Sequence, residues 1–127
     1  MNVSIGDIEA LTARVIGAWN RQEVEAVVGC YTEDCLYRDP NTRGAIEGRA
    51  ALRKYLGRLF EAWRMEWTVK EVHPFADGTG AAALWRADLA PASGGDKKRI
   101  HGMDLVIVRG GLVHRNEVYF DRTALFV

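Results

Sequence analysis

Cysteine, histidine and proline are all scarce in this chain. The two cysteines, Cys30 and Cys35, are too few and too close to staple a fold, and they lack CxxC spacing, so reduced thiols are expected. His73, His101 and His114 form no His-x-x-x-His pair and no Cys/His cluster, which argues against a metal site. No apolar run reaches the length of a membrane-spanning helix. The N-terminus carries Asp7 and Glu9 where a signal peptide would be apolar, and a cytoplasmic protein is expected. An excess of one charge is missing too. Seventeen basic and 17 acidic side chains give a pI near 6.8, which argues against nucleic-acid or membrane-surface binding. The one dense basic run, Lys97-Lys98-Arg99, follows Gly94-Gly95 and reads as a solvated loop or strand end.

What is present is core material. Of 127 residues, 48% are hydrophobic, with four Trp, four Tyr and four Phe. No repeat, low-complexity tract or linker divides the chain, so residues 1–127 read as one domain. Ile8, Leu11, Val15 and Trp19 share a face at helical spacing, with Ser4 or Asp7 as the cap. After a polar break at Asn20-Arg21-Gln22, Val24, Val27, Val28 and Tyr31 suggest a short second helix. Thr32-Glu33-Asp34 reads as a turn into a strand over 35–39, which Pro40 ends, and a loop over 41–48 follows. Leu52, Tyr55, Leu56, Leu59, Phe60 and Trp63 then mark the clearest amphipathic helix. The remainder reads as strands: one around Trp67 and Val69, then 81–89, 99–108 and 112–121. Helices followed by antiparallel strands make an α+β fold. We expect a cone-shaped, curved antiparallel sheet packed against the N-terminal helices, with an interior pocket at its open end.

The last hairpin decides which polar groups reach that pocket. A two-residue turn at Gly110-Gly111 sets Asp104 opposite Glu117, a like-charge pair. A three-residue turn, Arg109 to Gly111, sets Asp104 opposite Asn116 and is preferred. The inward face is then Asp104, Val106, Val108, Leu112, His114, Asn116, Val118 and Phe120, and Met103, Leu105 and Val113 lie outside. A one-residue slip exchanges the faces. Apolar outer residues invite a second copy, and a homodimer is expected.

The stretches "GAWNRQEVEAVVGCYTEDC", "YRDP", "GRAALRKYL", "AAALW" and "GMDLVIVRGGLVHRNEVYFD" occur in that order over nearly the whole chain. Together they resemble the nuclear-transport-factor-2-like superfamily, above all its ketosteroid isomerases and SnoaL-type polyketide cyclases. The resemblance implies that Asp39, in "YRDP", is a general base. It also implies that Asp104, in "GMDLV", is a protonated acid that steadies an enolate oxygen. The family's oxyanion tyrosine on the first helix is replaced here by Val15.

Each carboxylate also has a plainer reading. Asp39 precedes a proline and suits a turn, and Asp104 could be an outward residue paired with Arg115. Trp19, Tyr37, Leu56, Phe60, Trp85, Asn116, Val118 and Phe120 are the expected pocket residues, most of them doubling as core. His101 and His114 read as surface or strand-filling residues. The expected ligand is a small apolar molecule, with no cofactor, because enolate chemistry needs only a base and an oxyanion site. Two other functions stay open: a binding or interaction module without chemistry, and an epoxide-opening enzyme that uses the same two acids.

Overall fold

The computed structural model describes residues 4–126, except for the Phe126 side chain. Helix α1 spans Ile5–Arg21, and the Ser4 hydroxyl accepts the Asp7 backbone N–H at 3.1 Å as its cap. A short α2 (Val24–Val28) follows, then strands β1 (Tyr31–Arg38) and β2 (Ile46–Glu47), and helix α3 (Gly48–Ala62). Four long strands complete the domain: β3 (Trp63–Pro74), β4 (Gly80–Pro91), β5 (Lys98–Arg109) and β6 (Leu112–Phe120). A final 3-10 turn covers Arg122–Phe126.

The α+β expectation holds. One curved, unclosed six-stranded sheet runs in the order β2-β1-β6-β5-β4-β3, with the helices packed on its concave side. Neighbouring strands run antiparallel except β1 and β6, which are parallel. Four boundaries differ from expectation. Tyr31 opens β1 and does not continue α2, which ends at Val28. Thr32 to Asp34 belong to β1 and make no turn, because an irregularity between Tyr31 and Leu36 lets the strand absorb the polar residues. Ile46 and Glu47 pair with Tyr37 and Leu36 inside the expected loop. Trp63 opens β3, since its φ of −134° is already extended.

Leu52, Leu56, Val27, Tyr31, Cys35 and Val113 are fully buried and form the centre of the core. The polar break after α1 has a structural use. Asn20 exchanges two hydrogen bonds with the Trp67 backbone, at 2.7 and 3.0 Å, as a neighbouring strand would. Gln22 does the same with Trp63 O and Met65 N, at 2.8 and 3.0 Å. Strand β3 is an edge of the sheet, so these amides satisfy backbone groups that would otherwise be open to pairing with another chain. They also hold Trp67 and Met65 at a set height against α1.

The hairpin adopts neither register expected for it. Gly110 and Gly111 form a two-residue turn with φ of 60° and 78°, and Arg109 pairs with Leu112. A bulge at His114 then shifts the ladder, so that Asp104 faces Val118 and Glu117 faces Leu105. The like-charge pair is avoided by the bulge and not by a longer turn. Beyond the bulge the faces are as expected, with Asp104, Val106, Asn116, Val118 and Phe120 inward. Nearer the turn Val108 on β5 is inward as expected, but on β6 the faces are exchanged. Val113, buried to 2% exposure, takes the inward place expected of Leu112 and His114. His114 instead sets its Nδ1 3.0 Å from the Thr32 hydroxyl.

Candidate functional site

Asp39 is the first residue past β1. Its two carboxylate oxygens do different work. Oδ1 accepts the Asn41 backbone N–H at 2.7 Å and so builds the turn. Oδ2 accepts the Tyr37 hydroxyl at 2.7 Å and the Tyr55 hydroxyl as well. The turn-forming reading is therefore correct as far as it goes, and Asp39 also lines a cavity. Burial and the Asp39 charge push both phenols well above their ordinary pKa, so Tyr37 and Tyr55 remain donors across the physiological range.

Asp104 sits on the concave face of β5, and not outward toward Arg115, which pairs with Glu117. Trp85 Nε1 donates to its Oδ1 at 2.8 Å, and Asn116 Nδ2 donates to its Oδ2 at 3.1 Å. The Asn116 amide is oriented by its other end, where Oδ1 accepts the buried Tyr31 hydroxyl at 2.8 Å. Burial raises the Asp104 pKa to about 6. The two hydrogen bonds pull the other way, and the negative charge of Asp39 adds to the rise. Gly102, two residues earlier on the same face, makes room for the Trp85 ring. A Cβ there would lie 2.6 Å from the indole and 2.5 Å from Tyr119 O.

Three apolar chambers occupy the concave side. The first, about 50 Å³, is lined by Leu11, Val15, Val106, Val113, Asp104 and Asn116 among others. The second, also about 50 Å³, holds Asp39 with Trp19, Tyr37, Trp67, Val118 and Phe120. The third, about 30 Å³, joins them, sharing Val15, Ile16, Trp85 and Asp104 with the first and Trp19, Tyr37, Trp67 and Val118 with the second. A water needs roughly 10–15 Å³, so each chamber has room for no more than a few water-sized groups, and a larger ligand requires the aromatic partition to turn. That partition is a chain of ring contacts: Trp19 to Trp67 at 5.8 Å, Trp67 to Trp85 at 4.6 Å and Trp85 to Phe120 at 6.1 Å.

The chambers bring together Trp19, Tyr37, Trp85, Asn116, Val118 and Phe120 with both acids, but not the whole expected set. Leu56 and Phe60 line none of these chambers. Both are core, and Leu59 on the next face of α3 lines the second chamber together with Trp63, the first residue of β3. Sequence reasoning gave no pocket role to Trp67 or to Leu11 and Thr12 of α1, and no site role to Tyr31, which orients Asn116. For Trp67 the signal was its strand alternation with Met65 and Val69, and for α1 it was the helical spacing. The Trp67 Nε1 is buried and meets no acceptor among the described residues. Among those residues no group of three or more His, Cys, Asp or Glu side chains could hold a metal ion.

The family profile described as "SnoaL-like domain" matches residues 12–116. No curated protein matches the chain. Several solved structures share the fold. The epoxide hydrolase/cyclase-like enzyme SalBIII, with a role in pyran ring formation in the polyether salinomycin, is 22% identical with a TM-score of 0.81, covering 91% of this chain and 92% of that one. A ketosteroid isomerase-like protein from Erwinia carotovora atroseptica is 21% identical with a TM-score of 0.73, covering 94% and 98%. A Mycobacterium tuberculosis protein in complex with estradiol-17β-hemisuccinate is 13% identical with a TM-score of 0.80, covering 93% and 96%. At these identities the likeness is one of fold.

Proposed function

Since the chain belongs to the SnoaL-like family of the nuclear-transport-factor-2-like superfamily, we propose that it is a cofactor-independent acid–base enzyme of the isomerase or cyclase kind, acting on a small apolar carbonyl compound. The observation that carries this reading is the pair of carboxylates. Asp39 and Asp104 stand at opposite ends of one aromatic-walled interior, close enough for the charge of Asp39 to raise the pKa of Asp104. Burial disfavours the charged form of Asp104 and the charge of Asp39 adds to that, so Asp104 is the acid of the pair we assign the proton to.

In this reading Asp39, steadied by Tyr37, Tyr55 and Asn41, takes a proton from the carbon next to the carbonyl. Asp104, in its protonated form, donates to the oxygen that becomes negative, and Trp85 and Asn116 hold it in place. Val15 supplies no hydrogen bond, so the work of the absent tyrosine falls to another donor. The unpaired Trp67 N–H, on the wall common to the second and third chambers, is the group we assign to it. Substrate enters by turning the aromatic partition. The same reading places a second copy against the outer face of β5 and β6, where Met103 is 39% and Tyr119 52% exposed.

The test is hydrogen–deuterium exchange next to the carbonyl of a panel of apolar cyclic ketones in D₂O. Wild type should exceed Asp39→Asn by at least a hundredfold on the panel member it accepts. Equal rates would remove Asp39 from the chemistry and leave a binding module.

A further inference from the structure

Outside the second chamber lies an open groove of about 620 Å³ that the carboxylate pair does not use. It shares Asn41, Leu59, Trp63 and Leu125 with that chamber, so it adjoins the wall of the cavity that holds Asp39. Three guanidinium groups line it from separate elements: Arg43 in the turn after Asp39, Arg58 on α3 and Arg122 in the C-terminal 3-10 turn. None of its lining residues is acidic, in a chain whose 17 acids balance 17 bases.

The contrast with other arginines is direct. Arg21, Arg53, Arg99, Arg109 and Arg115 each pair with a nearby Asp or Glu, and Arg14, Arg49 and Arg64 each donate to a backbone carbonyl instead. Among the described residues Arg43 and Arg58 have neither kind of partner. Arg122 is turned into place by its Nε, which donates to Asn41 Oδ1 at 2.6 Å. The charges of Arg43 and Arg58 on one groove repel one another, and an entering anion relieves that repulsion.

We propose that this groove holds an anionic group, a carboxylate or a phosphate ester, at the trailing end of an apolar substrate whose body lies in the second chamber. The inference rests on the apolar-substrate reading above and adds the chemistry of the substrate's other end. It also accounts for direction of entry. Asp39 at the neck repels an anion that leads, whereas the arginines hold one that follows, so the apolar end goes in first and meets the carboxylate pair.

Three probes with one ring system separate the possibilities: 4-(2-naphthyl)butan-1-ol, its phosphate monoester, and 4-(2-naphthyl)butanoate, each titrated by naphthyl fluorescence. At low ionic strength at least one anion should bind roughly tenfold more tightly than the alcohol, consistent with two or three partly exposed charge contacts. Which anion wins identifies the carboxylate or the phosphate. The advantage should disappear in the double variant Arg43→Gln, Arg58→Gln and in 0.5 M salt, while the alcohol is unaffected. Equal binding of all three, or a preference that survives in the double variant, overturns the inference. An alcohol that fails to bind while the anions bind through the arginines leaves this inference standing and contradicts the apolar-chamber reading. Failure of all three contradicts both.

Discussion

Replacing Asp104 with asparagine isolates the cost of keeping a charge inside this fold. The side chain keeps its shape and can still accept from Trp85 Nε1. It loses only the ability to ionise, together with one acceptor toward Asn116. In the folded chain the Asp104 pKa is raised from 3.8 to about 6, by burial first and by Asp39 in addition. A carboxyl raised in this way costs nothing below the unfolded value, where both states are protonated. The cost grows as pH climbs between the two values and levels off above the folded one. At 1.36 kcal/mol per unit the plateau is roughly 2–3 kcal/mol. Any loss at the Asn116 contact is independent of pH and enters as a constant offset. Urea unfolding of both proteins between about pH 4 and pH 8 should therefore show the variant gaining about 2–3 kcal/mol on wild type as pH rises, most of it below about pH 6.5. A flat difference, or one of opposite sign, would refute the claim that Asp104 is held against its charged form.

Three further outcomes are expected. Gly102→Ala should displace the Trp85 ring, cost about 1–3 kcal/mol and alter the near-ultraviolet circular dichroism, because its Cβ would sit 2.6 Å from the indole and 2.5 Å from Tyr119 O; unchanged stability would contradict the packing. Leu52→Ala removes a side chain with 0% exposure from the interface of α3 with the sheet and should lower unfolding free energy by about 2–5 kcal/mol in a denaturant melt, whereas a loss below about 1 kcal/mol would mean the site collapses around the gap. Sedimentation equilibrium at micromolar concentration should show a dimer that Met103→Glu converts to monomer; monomer in the wild type would remove the outer sheet face from assembly.

The sequence was most informative where periodicity and turn chemistry act locally. The spacing from Ile8 to Trp19, the run from Leu52 to Phe60 and the Gly110-Gly111 pair all became the elements they suggest, because each is decided within a turn or two of chain. The hairpin register was not legible. A bulge is set by tertiary fit, here by His114 turning toward Thr32 on β1, 82 positions away in sequence, and no residue in "LVHRN" announces it. The inward face survived because the bulge restores the parity that the short turn had upset. Leu59 lines the second chamber where Leu56 and Phe60 were expected, because the angular setting of α3 is left open by an amphipathic pattern, and Trp63 reaches it from β3. Asn20 and Gln22 looked like a helix terminus and are also an edge clasp. The partition built by Trp67 depends on ring contacts between α1 and three strands, and composition alone assigns such residues to core.

The central claim is that Asp39 and Asp104 act as one coupled pair with its proton on Asp104. Carbon-13 NMR of the Asp104 side-chain carboxyl across pH tests it directly. The expected midpoint is about 6 in the wild type. It should fall in Asp39→Asn, where the neighbouring charge is gone. A wild-type midpoint near the ordinary carboxylate value of 3.8, or one that Asp39→Asn leaves unmoved, would contradict the account.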